Sequence, residues 1–420
     1  QRNKTIIAES LRANAFRGSV MAAFIDSWWL SVKAEYAQDE ADKYKAYAKT
    51  IILNWANRIL FAHIIKHKQN GAMIVDEIDY DKTPNEANAI FKKITEKCDF
   101  YNVFSAVRYN EALPELSWQD FVEFSNFLSS NGIDHLNQET LQNILEGSVA
   151  TSKRAINGQY TTPTELAKLL VRLTVKNWSD TILDCCCGTG TIPKEAIQIK
   201  KTQMTAKEAV ETVWACDKNN YPLQVANISM TEPDTINIAN RLFQHNALTL
   251  SIGEKITITN PETGGNMILA LPAFGAVVSN LPFVPFEIIP ADDKDEISKM
   301  PFVDILDGRS DLYCYIATKI ADVIKPEGTL GIIVSNSWLG TNAGIKLMEA
   351  LKQEYNIKQV HISGQGRWFK NADVVTTILV LEKKKNSNCV DTDFWLWQLS
   401  LEQLAENPDA ENTLVNSALL

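Results

Sequence analysis

Residues 277–283, Val-Val-Ser-Asn-Leu-Pro-Phe, place an amide between an apolar run and an aromatic ring. The side-chain oxygen of Asn280 and the backbone carbonyl of Leu281 can each accept a hydrogen bond from an amine. An exocyclic amine on an aromatic ring is a poor nucleophile because its lone pair is delocalised, and two acceptors on its N–H bonds favour a pyramidal nitrogen. Pro282 and Phe283 complete the segment, and the Phe283 ring can stack on a base that has left a duplex. The segment therefore indicates a site that activates a planar amine.

The same residues also allow a purely structural interpretation. Asn and Pro are frequent at turns, so Asn280 can mark the end of a strand before a Pro-containing turn. Leu281 occupies a position where a proline would fix φ and remove a backbone donor. Leucine keeps the carbonyl but adds an N–H group that needs a partner. Both interpretations stay open on these residues alone.

A second polar group follows a predicted strand that ends at Asp184. The glycines Gly188 and Gly190 let the backbone approach a ligand, and the helix predicted behind them begins with unpaired N–H groups. Pro193 occupies the place of the third glycine in a dinucleotide fingerprint, which argues against a pyrophosphate site. The turn therefore suits a nucleoside better than a dinucleotide.

Two further polar side chains end the next predicted strands. Asp217 can accept hydrogen bonds from both hydroxyls of a ribose, whereas Asp184 can meet a cationic amine. Asn246 can read the edge of an adenine through its amide. Either carboxylate alone could equally be a helix cap. Their occurrence together beside a glycine turn favours S-adenosylmethionine as the cofactor.

Two patterns divide the chain. Apolar residues recur at helical spacing in residues 50–67 and again in residues 117–130, where Ser117 is a plausible N-cap. After residue 181, short apolar segments alternate with helical stretches, which predicts an α/β fold with a doubly wound, mostly parallel sheet. The expected domains are a helical N-terminal domain at 1–150, an α/β domain at 151–390, and a C-terminal extension or the start of a missing domain at 391–420.

Seven segments carry the strand pattern. They are residues 181–187, 212–217, 236–248, 273–280, 328–336, 357–363 and 374–384. Residues 260–272 and 287–310 are expected to be long loops, which in compact domains are typically lids or insertions. Residues 394–399 are expected to form a short strand before a polar tail.

Composition limits the classes of function. A formal net charge of -10 argues against binding nucleic acid by bulk electrostatics, so a nucleic-acid enzyme would need a local basic groove or a basic partner. The seven cysteines lack paired CxxC spacing, which predicts reduced thiols in a cytoplasmic protein. No spacing of histidines or cysteines indicates a metal site, and no apolar run is long enough to span a membrane.

The order of these segments resembles that of the N6-adenine DNA methyltransferases of the gamma arrangement. Within this family, the chain is most similar to the modification subunits of type I restriction systems and to their type IIG and phage-defence relatives. The resemblance covers most of the chain. It is carried by Gly-Gln-Tyr-Thr-Thr-Pro (158–163), Asp-Cys-Cys-Cys-Gly-Thr-Gly-Thr (184–191), Cys-Asp-Lys-Asn (216–219), Gln-His-Asn-Ala-Leu (244–248) and Ser-Asn-Leu-Pro-Phe (279–283).

The resemblance implies site-specific methyl transfer from S-adenosylmethionine to N6 of an adenine flipped out of double-stranded DNA, in restriction-modification or phage defence. The implied catalytic residues are Asn280, Leu281, Pro282 and Phe283. The implied cofactor residues are Tyr160, Thr162, Asp184, Gly188, Gly190, Asp217 and Asn246. Two positions depart from the family, because Leu281 replaces the first proline and Asn246 stands where an acid is frequent.

The resemblance also implies a partner. About thirty-five residues follow residue 384, too few for a domain that reads DNA sequence in the grooves. We therefore expect sequence recognition in another subunit or in a C-terminal domain missing from this chain. Two alternatives remain open: a methyltransferase for RNA or for a protein amide, and a methyltransferase-like scaffold that binds a cofactor or partner without transferring methyl.

Overall fold

The computed structural model describes most of the chain. The described residues are 2–16, 18–36, 40–66, 70–98, 104–131, 161–232, 234–235, 237–261, 263, 265–306, 309–369, 375–385 and 391–419. The chain forms two compact units, of which the first holds Gln1–Lys153, Glu232–Asn237 and Thr259–Gly265, and the second holds Arg154–Thr231, Ile238–Ile258 and Asn266–Leu420. The domain boundaries expected at residues 150 and 390 stay predictions.

The first unit is helical over most of its described length. Its helices are α1 (Arg2–Asn14), α2 (Val20–Tyr36), α3 (Lys43–Ile65), α4 (Pro84–Cys98) and α5 (Glu115–Ser130), with a 3₁₀ helix at Asn70–Glu77. The two helices expected from residues 50–67 and 117–130 correspond to α3 and α5. The expected cap at Ser117 is wrong, because Pro114 occupies the N-cap position and Ser117 is buried within the first turn.

The second unit is built on a large sheet. Its strands are β1 (Ile182–Asp184), β2 (Val213–Asp217), β3 (Arg241–Gln244), β6 (Phe274–Asn280), β7 (Ile324–Ser335), β8 (Tyr355–Ser363), β9 (Thr376–Lys383) and β10 (Asp393–Trp397). Their order is β3-β2-β1-β6-β7-β9-β8-β10, and β9 runs antiparallel to both of its neighbours while the other described pairs are parallel. The predicted mostly parallel α/β fold and all seven predicted strands are confirmed.

Helices cover both faces of this sheet. The helices of the second unit are α6 (Thr164–Thr174), α7 (Thr191–Lys201), α8 (Ala206–Glu211), α9 (Asn220–Met230), α10 (Ala291–Ser298), α11 (Leu312–Lys319), α12 (Asn342–Glu354), α13 (Leu401–Glu406) and α14 (Pro408–Leu419). Ile182 and Val278 belong to the core that contains residues of α6–α9, whereas Leu183 and Val277 belong to the core that contains residues of α10–α12. Both faces of the central strands are therefore apolar, as a buried parallel sheet requires.

Three segments expected to lack regular structure contain it. β5 (Asn266–Ala270), which pairs with β4 (Lys255–Thr259), lies within the expected loop 260–272, and α10 lies within the expected loop 287–310. The expected polar tail forms α13 and α14, of which α13 begins with a capping box. These elements were missed because they are short and bury few apolar side chains. Cys185, Cys186 and Cys187 lie in the turn after β1 rather than on the strand, and these three are free thiols, as are Cys216 and Cys314.

The turn between β1 and α7 needs two glycines in the left-handed region. Gly188 has φ +51° and Gly190 has φ +89°. A Cβ atom on Gly190 would lie 2.8 Å from Ser229 Oγ and 3.0 Å from Ala226 Cα, whereas one on Gly188 would meet nothing within 4 Å. The Ser229 hydroxyl also donates to the Thr189 carbonyl at 2.7 Å. Helix α9 therefore packs directly against the turn.

We expect Gly190→Ala to lower the free energy of unfolding by at least about 3 kcal/mol, because the added methyl group meets backbone strain and the α9 backbone together. Gly188→Ala is the matched control, with strain but no steric neighbour, and an expected loss of about 1–2 kcal/mol. Urea unfolding of both variants measures the difference. Equal losses would contradict the close approach of α9.

Candidate active site

Asp184 ends β1 as a buried carboxylate. Its Oδ1 accepts hydrogen bonds from the Ser279 hydroxyl at 2.7 Å and from the Cys186 N–H at 3.2 Å. Its Oδ2 is buried and has no hydrogen-bond partner among the described residues. Burial raises the pKa of Asp184 to about 7, and the Asp217 charge adds to this effect although both hydrogen bonds oppose it. The carboxylate can therefore accept a cation or a further donor.

Asp217 ends β2, the strand next to β1. Its Oδ2 accepts from the Gly188 N–H at 3.1 Å, and its Oδ1 accepts from the Asn219 N–H at 2.8 Å. Burial raises the pKa of Asp217 to about 6, although these two hydrogen bonds lower it. The carboxylate is thus fixed against the glycine turn, where a nucleoside hydroxyl could share it.

Asn246 follows β3 and has partners within the protein. The predicted strand end at Asn246 is wrong by two residues, because β3 ends at Gln244. Its Nδ2 donates to Asp293 Oδ1 at 2.8 Å, and its Oδ1 accepts from the Leu248 N–H at 3.1 Å. Lys218 Nζ lies 2.8 Å from the same Asp293 oxygen. Asp293 belongs to α10 and is 3% exposed, so a buried carboxylate lies beside the amide where the family often has an acid.

Asn280 is the last residue of β6 and is partly buried. Its Nδ2 donates to Thr162 Oγ1 at 3.1 Å. The preceding residue, Ser279, is fully buried and donates to Asp184. Because successive side chains of a strand point to opposite faces, one residue reaches the β1 carboxylate and the next reaches the segment before α6. The strand therefore links the expected cofactor site to the expected catalytic amide.

Leu281 is anchored by both its backbone and its side chain. Its N–H donates to the Ile333 carbonyl at 3.3 Å, one residue beyond the point where Asn280 pairs with Ile333 across β6 and β7. Its side chain is 1% exposed and belongs to the same core as Leu312 and Trp338. The N–H that leucine adds therefore has a partner, and the peptide is restrained without a proline ring.

Pro282 and Phe283 are partly buried residues that follow this anchor. The Phe283 ring packs against the cores on both faces of the sheet, just beyond the carboxyl end of β6. The Val284 carbonyl then accepts from the Leu312 N–H at 2.9 Å, at the start of α11. The catalytic segment is thus attached to the fold on both sides.

The structure brings some of the predicted cofactor residues together. Asp184, Gly188 and Asp217 lie at the carboxyl ends of β1 and β2, whereas Thr162 contacts Asn280 and Asn246 contacts Asp293. Tyr160 lies outside the described residues. The roles assigned to all of these residues stay predictions.

Three polar residues were missed. Ser279 and Lys218 immediately adjoin predicted residues, so their positions at strand ends were a usable signal. Asp293 gave no such signal, because it lies in a charged segment whose helix was not predicted.

Among the described residues, no group of three or more His, Cys, Asp or Glu side chains could hold a metal ion, and no helix is long and apolar enough to cross a membrane.

A profile of the N-6 DNA methylases matches residues 140–419, more than half of the chain. The chain belongs to the N-6 DNA methylase family. This finding confirms the family expected from the ordered segments. S-adenosylmethionine is the cofactor that this family implies, and the buried, unpartnered Asp184 Oδ2 and the Asp217 carboxylate at the glycine turn fit its cationic and nucleoside parts.

Individual proteins are similar to part or most of this chain. Type II methyltransferase M.BanIII from Aneurinibacillus aneurinilyticus is 28% identical over 116 residues, which is 28% of this chain and only 19% of that relative's length. A Listeria monocytogenes protein assigned to the class I S-adenosylmethionine-dependent methyltransferases has a TM-score of 0.52 at 16% identity, over 86% of this chain and 98% of its own. The type I restriction-modification methyltransferase subunit from Streptococcus thermophilus has a TM-score of 0.51 at 14% identity, over 93% of each chain. The similarity to these two solved structures shows that this chain shares their fold.

We expect the affinity for S-adenosylmethionine to rise between pH 6 and pH 7. Asp184 has a pKa of about 7, so a cation that binds its carboxylate must displace a proton below that pH. The expected gain is up to about tenfold per pH unit, and Asp184→Asn abolishes it. Calorimetric titrations across this range measure the slope.

Asp217→Asn is the control, since burial, the main cause of the raised Asp184 pKa, remains in this variant and most of the slope above pH 6 is kept. Without cofactor, the free energy of unfolding changes with pH in the opposite direction to the cofactor affinity. The Asp184 pKa is raised from 3.8, so the folded state keeps a proton that the unfolded state loses, and the free energy of unfolding falls as pH rises from about 4 to about 7. A cofactor slope that persists in Asp184→Asn would contradict the assignment.

We expect Leu281→Pro to be less stable than Leu281→Ala by about 1 kcal/mol or more. Both variants lose the buried side chain, but only the proline also removes the N–H that bonds to Ile333. Urea unfolding compares the two variants. A proline variant as stable as wild type would show that the backbone anchor is unimportant.

Proposed function

We propose that this chain transfers a methyl group from S-adenosylmethionine to N6 of adenine in DNA. The observation that carries the proposal is the adjacency of Ser279 and Asn280, which joins the Asp184 carboxylate to the amide at the end of β6. Membership of the N-6 DNA methylase family supports the substrate class. The relative described as a Type II methyltransferase supports a restriction-modification role, with phage defence as a related setting.

The catalytic segment acts by holding the amine. Asn280 Oδ1 and the Leu281 carbonyl accept the two N–H bonds of N6, and Phe283 stacks on the adenine ring. When bound, S-adenosylmethionine would supply an electrophilic methyl group, which N6 takes in exchange for a proton that passes to solvent. The acceptors are neutral, so they direct the lone pair without themselves changing charge. Because both are fixed to β6 and β7, the segment needs little reorganisation during the reaction.

The proposed substrate is an adenine flipped out of double-stranded DNA. Stacking and pairing in a duplex cover the ring face and the N6 edge that this segment contacts, so the base must leave the stack. The net charge of -10 requires that much of the phosphate binding comes from a basic groove or partner. We therefore assign sequence recognition to another subunit or domain, and the site of action to the cytoplasm.

The test is methylation of random-sequence duplex DNA with labelled S-adenosylmethionine, read as N6-methyldeoxyadenosine by mass spectrometry. Asn280→Ala is expected to lower the rate at least about 100-fold and to change cofactor affinity less than about threefold, because it removes an acceptor used in the reaction. Asn356→Ala, at the start of β8 on the opposite edge of the sheet, is the matched control and keeps the wild-type rate.

Undiminished N6 methylation by Asn280→Ala would contradict the catalytic role. RNA and protein substrates are assayed in parallel, and methyl transfer to either instead of DNA would replace the proposed substrate. Wild-type protein that binds the cofactor but methylates none of the three, even together with its recognition partner, would support the scaffold interpretation.

A further inference from the structure

Thr162 and Asn280 form a contact across 118 residues of sequence. Thr162 Oγ1 accepts the hydrogen bond from Asn280 Nδ2 at 3.1 Å, and the Thr162 side chain is only 8% exposed. The resemblance assigned Thr162 to the cofactor pocket. Its observed partner is instead the amide proposed to hold the substrate amine.

The backbone around Thr162 holds its hydroxyl in place. Pro163 follows it and is the N-cap of α6, with φ −56°. A residue before proline is restricted to extended conformations, and a β-branched side chain has few rotamers. Leu166 and Leu170 of α6 are fully buried in the sheet core, so the helix that follows Thr162 is packed against the sheet.

We propose that Thr162 is a positioning residue that orients the Asn280 amide, rather than a residue of the cofactor pocket. The inference rests on the function proposed above. An asparagine amide has donors at one end and an acceptor at the other, and rotation about its last side-chain bond exchanges them. Binding an amine requires Oδ1 to face the substrate. The bond to Thr162 occupies the Nδ2 end, which leaves Oδ1 at the end opposite Thr162.

The two roles for Thr162 differ in the step they affect. A residue that contacts the cofactor changes its dissociation constant. A residue that orients Asn280 changes the rate of methyl transfer from the bound state and leaves cofactor affinity nearly unchanged. Loss of the hydroxyl alone separates these outcomes, because valine has almost the shape of threonine.

The experiment compares Thr162→Val with Thr162→Ser in the full chain. Thr162→Val is expected to lower kcat about 10- to 100-fold while the dissociation constant of S-adenosylmethionine changes less than about threefold. Thr162→Ser keeps the hydroxyl and is expected to stay within about threefold of wild-type kcat. A weaker cofactor affinity with unchanged kcat, or no effect of valine on either quantity, would overturn the proposal.

A second readout does not depend on activity. Thermal unfolding of Thr162→Val, Asn280→Ala and the double variant forms a cycle, and a double shift smaller than the sum of the single shifts is expected if the two side chains interact. Additive shifts overturn the contact. Non-additive shifts in a protein whose wild type methylates no substrate, even with its recognition partner, overturn the catalytic role and identify the proposed function as the part that failed.

Discussion

The lateral pairing of β6 with β1 and β7 decides where Ser279 and Asn280 lie relative to Asp184 and Thr162. Leu183 pairs with Val277 and Asn280 pairs with Ile333, so β6 extends beyond the end of β1. Ser279 can therefore reach back to Asp184 while Asn280 points the other way. A slip of one residue would exchange these two side chains between the faces and separate the amide from Thr162. The apolar residues that precede Ser279 in β6 are buried on both faces.

Two buried carboxylates at the carboxyl ends of neighbouring strands are unfavourable in the protein without a ligand. Asp184 and Asp217 are both desolvated, which raises both pKa values, and backbone N–H groups satisfy Asp217 more fully than Asp184. Carboxylates with raised pKa values are frequent at functional sites, where a bound ligand provides the hydrogen bond or charge that the protein does not. The glycine turn at the same place has left-handed backbone, which glycine adopts without strain. The low stability of the Asp184 carboxylate in the protein alone fits the cation site proposed for it.

The sequence predicted the large elements and the residues that end them. Apolar runs rich in β-branched residues marked the strands, and the polar residues that stop them at Asp184, Asp217 and Asn280 are the last residues of β1, β2 and β6. Helix α10 was hidden because its residues are mostly charged. The contact between Thr162 and Asn280 could not be predicted either, since it joins distant segments through side-chain directions that only the assembled fold defines.

Helix α10 couples the segment after Phe283 to two distant strand ends. Lys218, next to Asp217, and Asn246, after β3, both bond to Asp293 of that helix. These two contacts to Asp293 matter when segments are exchanged between family members. If only residues 286–310 are replaced, Asp293 is exchanged but Lys218 and Asn246 are not. The chimera then loses the partner of both side chains unless the new helix has a carboxylate at the same position. Positions 218, 246 and 293 should be exchanged as one unit.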